Sequence, residues 1–313
     1  LQEAPVANEV YFSNLSGNAR VAAILNQFVV TKLTDTASLV NHPSITQLRS
    51  MNGSGSTVVQ VPVVSWGANA MASVAESSTV SNTALTTTNA NVTIARQALR
   101  RQISDLAQLT SAGIALDVTL DNIAADMVLA YNKRVTAMLG DLASGFSTSV
   151  GSTGVDLTVA NFYAAIFQLQ LNSADGMFTA ILHPQQINDL ISSLRSETGP
   201  GQYLATSQDQ VQAKGPGFRG NLFGVDVFSS ANGINTANAG ADRLGMMIAP
   251  GAIGVATATA APILGGATIA SQSPILVELE RDASSGSTII VGSAFVGVAE
   301  LDDLRGVGIL SDA

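Results

Sequence analysis

Residues 76–95 read ESSTVSNTALTTTNANVTIA, and eleven of the sixteen side chains from Glu76 to Asn91 are Ser, Thr or Asn. Glu76 is the only charged residue between Ser50 and Ala95. The segment is too polar for a buried core strand, and it far exceeds the median of about 4–6 residues for connections in compact domains. Its composition also differs from that of disordered chains, which normally join low hydrophobicity to high net charge. Upstream, NGSGS at 52–56 marks a turn, and TVVQVPVV after it is a β-branched strand in which Pro62 calls for an edge or a bulge. Downstream, VTIARQALRRQISDLA regains regular structure together with Arg96, Arg100 and Arg101. Two strand-like arms around a neutral tip describe a long β-hairpin excursion.

Outward from that hairpin, residues 1–19 are polar and aperiodic and read as an arm. From Arg20 to Leu48, Val21, Ile24, Leu25, Phe28 and Val29 recur at helical spacing before the break NHPS. TLDNIAADMVLAYNKRVTAMLGDL, residues 119–142, is the strongest helical signal. Leu120, Ile123, Met127, Tyr131, Arg134, Met138 and Leu142 share one face, with Thr119 as N-cap and Gly145 beyond the end. At 1.5 Å per residue it spans about 35 Å. Residues 157–269 alternate helices and strands: TVANFYAAIFQLQLN is a helix with Val159, Phe162, Tyr163, Ile166 and Leu169 inward, FTAIL a buried strand, and HPQQINDLISSLR a helix with Pro184 in its first turn. GQYLATSQDQVQAKGPGFRG is expected as a loop, NLFGVDVFSS as a strand, RLGMMIAPGAIGVAT as a strand and turn, and residues 274–310 as closing strands that pack on the long helix.

The 313-residue chain is long enough to bury a substantial core, lacks cysteine, and therefore has no thiol chemistry, disulfide framework or thiolate metal site. Charged residues make up 12%, about half the usual quarter, and the mean hydropathy is +0.31. The uncharged run 244–277 is broken by glycines and prolines, which excludes a spanning helix of about 20 apolar residues. A surface so poor in charge is expected to be buried against other subunits. A net charge of −9 argues against gripping nucleic acid by counterion release. Chain start at Leu1 fits a removed leader or a trimmed end equally.

Signals for catalysis are weak. His42 and His183 each precede a proline and lie far apart, and His183 is better placed to cap a strand-to-helix turn than to hold a metal. GPGFRG at 215–220 matches the dinucleotide-loop pattern by letter, but neither a preceding strand nor a following helix surrounds it. Only Lys32, Lys133 and Lys214 are available for Schiff-base or phosphate work. Glu278 with Glu280 and Asp302 with Asp303 read as solvated or intersubunit faces, with nothing apolar to separate their pKa values. Neither a catalytic residue nor a cofactor or metal site is expected. Trp66, Glu76, Arg96, Arg100 and Arg101 are the candidate inter-subunit contacts, the arginines as partners for acids of a neighbour.

In order, a polar arm, a two-stranded excursion, a long helix with a Gly/Ser break, an insert carrying ILHPQQINDL and LFGVDVFSS, and a closing β-region resemble the major capsid proteins of tailed bacteriophages, the Hong Kong 97-type fold. The resemblance implies an α+β chain with an N-terminal arm at 1–19 and an extended loop at 50–95. It implies a peripheral domain from 20–49, 96–157 and 269–313 on the spine helix 119–142, and an axial domain at 158–268. Hexamers and pentamers closing an icosahedral head around double-stranded DNA, without specific DNA binding and without a membrane, follow as expectations. So do scaffold, portal and decoration proteins as partners, and a virion capsid assembled in the host cytoplasm. Some members cross-link through a lysine in the extended loop; no lysine lies between Lys32 and Lys133, so that chemistry is expected to be missing. An encapsulin-type nanocompartment shell is the alternative, then a surface adhesin suggested by the Ser/Thr/Asn-rich strands, then an enzyme using His183. Deleting residues 77–91 should leave a folded subunit that fails to close stable shells; electron microscopy of the deletion showing normal particles would refute the interface role of the loop.

Overall fold

The computed structural model describes residues 44–48, 56–65, 76, 86–106, 115–172, 174, 176–198, 218–231, 234–258 and 275–312. The arm at 1–19, the helix expected within 20–48, Trp66 and the loop at 201–217 lie outside the described residues. In chain order the strands are β1 Ile45–Gln47, β2 Val58–Ser65, β3 Thr86–Thr93 and β4 Ala95–Ser104, followed by helix α1 Ala115–Asp141. Strand β5 Ser149–Gly151, helix α2 Val159–Leu171, strand β6 Thr179–Leu182 and helix α3 Pro184–Thr198 come next. Then come β7 Phe218–Leu222, β8 Val225–Ser229, β9 Asn235–Ala237, β10 Asp242–Ile248, β11 Ile253–Ala258, β12 Ile275–Asp282, β13 Ser287–Glu300 and β14 Gly306–Asp312.

Among the described residues these strands form three sheets. The first has the order β1-β11-β13-β12 with β4 on the other edge of β13; the second has the order β5-β14-β10-β6-β8-β7 with β9 on β10; β2 and β3 pair only with each other. Strand β13 is long enough, at 14 residues, to pair with β12 and β11 in succession along one edge and with β4 along the other.

Helix α1 begins at Ala115, so Thr119 is its second turn and not its cap. Its buried face is Ile123, Ala124, Met127, Val128, Tyr131, Val135 and Leu139, the i, i+3, i+4 stripe of a core helix. Arg134, expected on that face, is exposed at its edge, where its Nε donates to Gln97 Oε1 at 3.0 Å. The stripe packs against Val255, Val277, Ile290 and Val296 of the first sheet and against Ile181, Met246 and Ile248 of the second. Met127 lies over Gly292, where a Cβ would stand 2.9 Å from its Sδ. A second core under α2 and α3 gathers Phe162, Leu169, Leu182, Leu190, Met247 and Ile309.

Besides the passage from β4 through α1 to β5, two short connections carry the chain from one sheet to the other. After β10 in the second sheet, residues 249–252 lead to β11 in the first; after β13 in the first, residues 301–305 lead to β14 in the second. Sheet membership therefore departs from the segments inferred above: 253–258 joins the closing strands, and 306–312 joins the insert. NLFGVDVFSS, expected as one strand, is the hairpin β7–β8, and β7 already starts at Phe218 inside GPGFRG. Its two-residue turn is Phe223–Gly224, with φ of 53° and 83°. For a side chain bearing Cβ such a φ costs about 1–2 kcal/mol, and Asn is the usual occupant. Tyr163, expected inward on α2, points outward.

Strand β3 passes over β13 at Gly297, where any Cβ would overlap the Thr93 carbonyl. Gly297→Val should destabilise the subunit by about 1–3 kcal/mol through overpacking at this crossing, read from its denaturant midpoint at unchanged slope.

Candidate assembly surfaces

The β2–β3 ribbon is antiparallel and in full register, Val58 opposite Thr93 and Ser65 opposite Thr86. Pro62 sits on its free edge, opposite Asn89, where a missing N–H costs no ladder bond. Val92 and Ile94 anchor the root, packing with Ala256 beneath Leu48, Val59, Phe295 and Leu301. Beyond the root Thr87, Thr88, Asn89 and Asn91 are exposed. A lone two-stranded ribbon is marginal in water, so a neutral one held only at its root is suited to lie against another surface. Glu76 is exposed.

Strand β4 continues from β3 across the single residue Ile94 and alternates two faces. Leu99 and Ile103 pack on the α1 core, and on the same face Arg101 pairs with Asp126 of α1, Nη2 to Oδ2 at 2.5 Å. Arg96 is on the other face and donates to Ser293 Oγ at 2.8 and 3.2 Å. Arg100 shares the Arg96 face and is exposed, opposite Val291 in the register. Arg101 and Arg96 are thus engaged within their own chain, and among the described residues Arg100 carries the charge left available on β4. At the far end of β4, Arg281 holds Asp105 in a bidentate pair at 2.6 Å, which keeps the Asp105 carboxyl below its usual range. Asp282, accepting from the N–H and hydroxyl groups of Ser284 and Ser285, is held down to about 2 and closes the β12–β13 turn. Glu278 and Glu280 are exposed on β12. Between α1 and the first sheet lies an apolar cavity of about 200 Å³ lined by Leu99, Met127, Tyr131, Ile275, Gly292 and Ala294; burial raises the Tyr131 hydroxyl.

His183 is a structural cap. Its Nδ1 accepts from the Gln185 N–H at 3.3 Å, while its own N–H donates to Gln186 Oε1 at 3.0 Å, a reciprocal capping box with imidazole in place of a hydroxyl. Gln186 is fully buried, and its Nε2 donates to the carbonyls of Arg243 and Ile309 and to Ser311 Oγ. Nothing in the sequence separates this glutamine from an exposed one. Among the described residues no group of three His, Cys, Asp or Glu side chains is placed to hold a metal, and no helix is long and apolar enough to cross a membrane.

No family model matches the sequence, and no curated protein matches it either. Solved structures do match in fold. The capsid of cyanophage P-SCSP1u aligns with a TM-score of 0.55 at 15% identity over 88% of both chains. The head of Helicobacter pylori bacteriophage KHP40 aligns at 0.53 and 13% identity, over 88% of this chain and 92% of that one. The chain has the Hong Kong 97-type capsid fold. The holo-SrpI encapsulin of Synechococcus elongatus shares it, at a TM-score of 0.57, 9% identity, and 85% and 84% coverage. Within this capsid fold the long helix α1, the ribbon β2–β3 and the closing strands stand in the expected order.

One feature of the surface escapes sequence reasoning. Tyr163, Phe167 and Leu171 form an exposed apolar stripe on α2, and Phe223 meets Tyr163 edge-on with ring centroids 5.9 Å apart. Adjacent apolar residues such as Phe162 and Tyr163 leave the phase of a helix open, so only the packing decides which is inside.

Burial and Arg243 hold the His183 imidazole below its ordinary 6.5. A base depressed on folding contributes fully above the unfolded value and is lost as pH falls below it. Stability should therefore decline from about pH 6.5 downward through this cap. His183→Asn, which keeps an acceptor that does not titrate, should flatten that part of the pH profile of the denaturation midpoint, and His183→Ala should cost about 1 kcal/mol at neutral pH.

Proposed function

We propose that this chain is the repeating structural subunit of an icosahedral shell, the head of a tailed bacteriophage, built from hexamers and pentamers around double-stranded DNA. The observation that carries this reading is a fold shared over nearly the whole length of subunits described as capsid and head structures. The role is structural and not catalytic, with virion capsid as its location and assembly in the host cytoplasm. On this reading the first sheet with α1 is the peripheral domain, the second sheet with α2 and α3 the axial domain, and residues 50–95 the extended loop, with the arm at 1–19 preceding them. The neutral ribbon lies on a neighbouring subunit, where charge would carry a desolvation cost and Thr and Asn can pair and pack. Trp66, Glu76, Arg96, Arg100 and Arg101 are the contact candidates, Arg100 foremost. Scaffold, portal and decoration proteins are the partners such a head would use, and the net charge of −9 suits an inner wall that does not adhere to packaged DNA.

The encapsulin likeness favours a second reading, a protein nanocompartment that encloses cargo other than DNA. Negative-stain microscopy with light scattering tests the shell. Uniform icosahedral particles or rings of five and six are expected; a monodisperse 32.0 kDa species would count against both readings. Particles from the native source that contain double-stranded DNA decide for the phage head, and DNA-free particles with a protein cargo decide for the nanocompartment.

A further inference from the structure

Helix α2, VANFYAAIFQLQL, contains no charged residue in 13. Its inner face, Phe162, Ala165, Ile166 and Leu169, is buried in the second core. Its outer face carries Tyr163, Phe167 and Leu171, exposed at 56%, 52% and 60%, at i, i+4 and i+8. The polar residues of α2 are only Asn161, Gln168 and Gln170, and among the described residues the packing covers one face and leaves this second apolar stripe open. With Phe223, exposed at 52%, the stripe presents on the order of 400 Å² of mainly apolar surface. That is about half of the ~800 Å² that each partner contributes to a standard interface, enough for the centre of one.

Phe223 supplies a second, independent observation. It occupies the first central position of a two-residue hairpin turn at a φ of 53°, where Asn is favoured and an aromatic side chain is strained. The turn itself is secured without it: Gly224 N–H donates to Asn221 Oδ1 at 3.0 Å, and Asn221 Nδ2 donates to Asp226 Oδ1 at 3.0 Å. The ring sits at an unfavourable φ and stays half exposed; within the subunit it meets Tyr163, itself exposed, edge-on, so the pair turns much of its apolar surface outward.

We propose that Phe223, Tyr163, Phe167 and Leu171 form a contact surface for a second copy of this chain, within one ring of subunits. The inference rests on the shell reading. A stripe without charge is best met by a surface poor in charge, and a chain with 12% charged residues, repeated around a ring, offers such a surface. A ring of identical subunits closes through heterologous contacts, so this stripe faces a different patch of the neighbour.

Phe223→Asn tests the proposal and keeps folding apart from assembly. Asn relieves the strain of the turn and forfeits the Tyr163 ring contact, two opposing effects of similar size, so the free subunit should melt at nearly the same temperature, while the concentration at which rings or shells appear should rise at least ~10-fold. Phe167→Ser should act in the same direction. Hydroxyl-radical footprinting should label Tyr163 and Phe223 in free subunits and find them protected in assembled ones. Assembly of both variants at the unsubstituted concentration would overturn the inference. So would protection already present in free subunits, the result expected if residues 199–217 of the same chain cover the stripe, or protection that appears only when another protein is added. If the unsubstituted chain forms no rings or shells at all, the shell reading itself fails and this inference with it.

Discussion

The buried stripe of α1 is the constraint on which the rest of the subunit depends. Seven side chains from Ile123 to Leu139 belong to one core that includes residues of both sheets, and full burial of a large apolar side chain is worth about 1.5–3 kcal/mol. Because one helix face serves two sheets, neither sheet has a complete core without it. The two short crossings, at 249–252 and 301–305, reinforce this coupling by making each sheet include strands from either side of a crossing. Gly292 on β13 permits the close approach, since Met127 occupies the space of a side chain there.

Much of this was legible in the sequence, because the long helix, the strand-to-helix phrase at 179–198 and the β-branched arm at 58–65 are local signals. The phase of α1 was legible only in part. Ile123, Met127 and Tyr131 are on the inner face as expected, and Met138 and Leu142 pack partly buried against it, but the centre of the stripe runs through Val135 and Leu139 and Arg134 falls at the edge. A spacing of three or four residues admits both continuations; the charge on Arg134 favours the edge, where Gln97 accepts it. The turn at Phe223–Gly224 lacks the usual Asn and so passed as the interior of a strand. Sheet membership of β11 and β14 had no local signature at all, since a connection of four residues usually keeps neighbours in one sheet and here does not.

The surfaces were legible to a lesser degree. Composition alone marked the neutral ribbon, but the strand that pairs with β2 is Thr86–Thr93, largely inside the expected polar tip, while most of the expected second arm, Ala95–Ser104, pairs with β13 instead. The arginines of β4 were recognisable as a group, but strand alternation sends Arg101 to Asp126 on α1 and leaves Arg100 outward, a division that depends on which face the helix covers. His183 shows how a residue rich in chemical potential can be absorbed by backbone needs: at the start of α3 its ring nitrogen accepts the Gln185 N–H and the Gln186 amide oxygen accepts the His183 N–H, and the same amide ties α3 to β10 and β14.

The side chains of the ribbon along 58–65 and 86–93 are Val, Gln, Pro, Ser, Thr, Asn and Ala, so it offers nothing for a counterion to screen. Ion pairs between exposed groups weaken once ionic strength shortens the Debye length to about 8–10 Å, whereas neutral hydrogen bonds and methyl contacts do not. A contact made through such a ribbon would therefore not be weakened by the screening of charge as ionic strength rises.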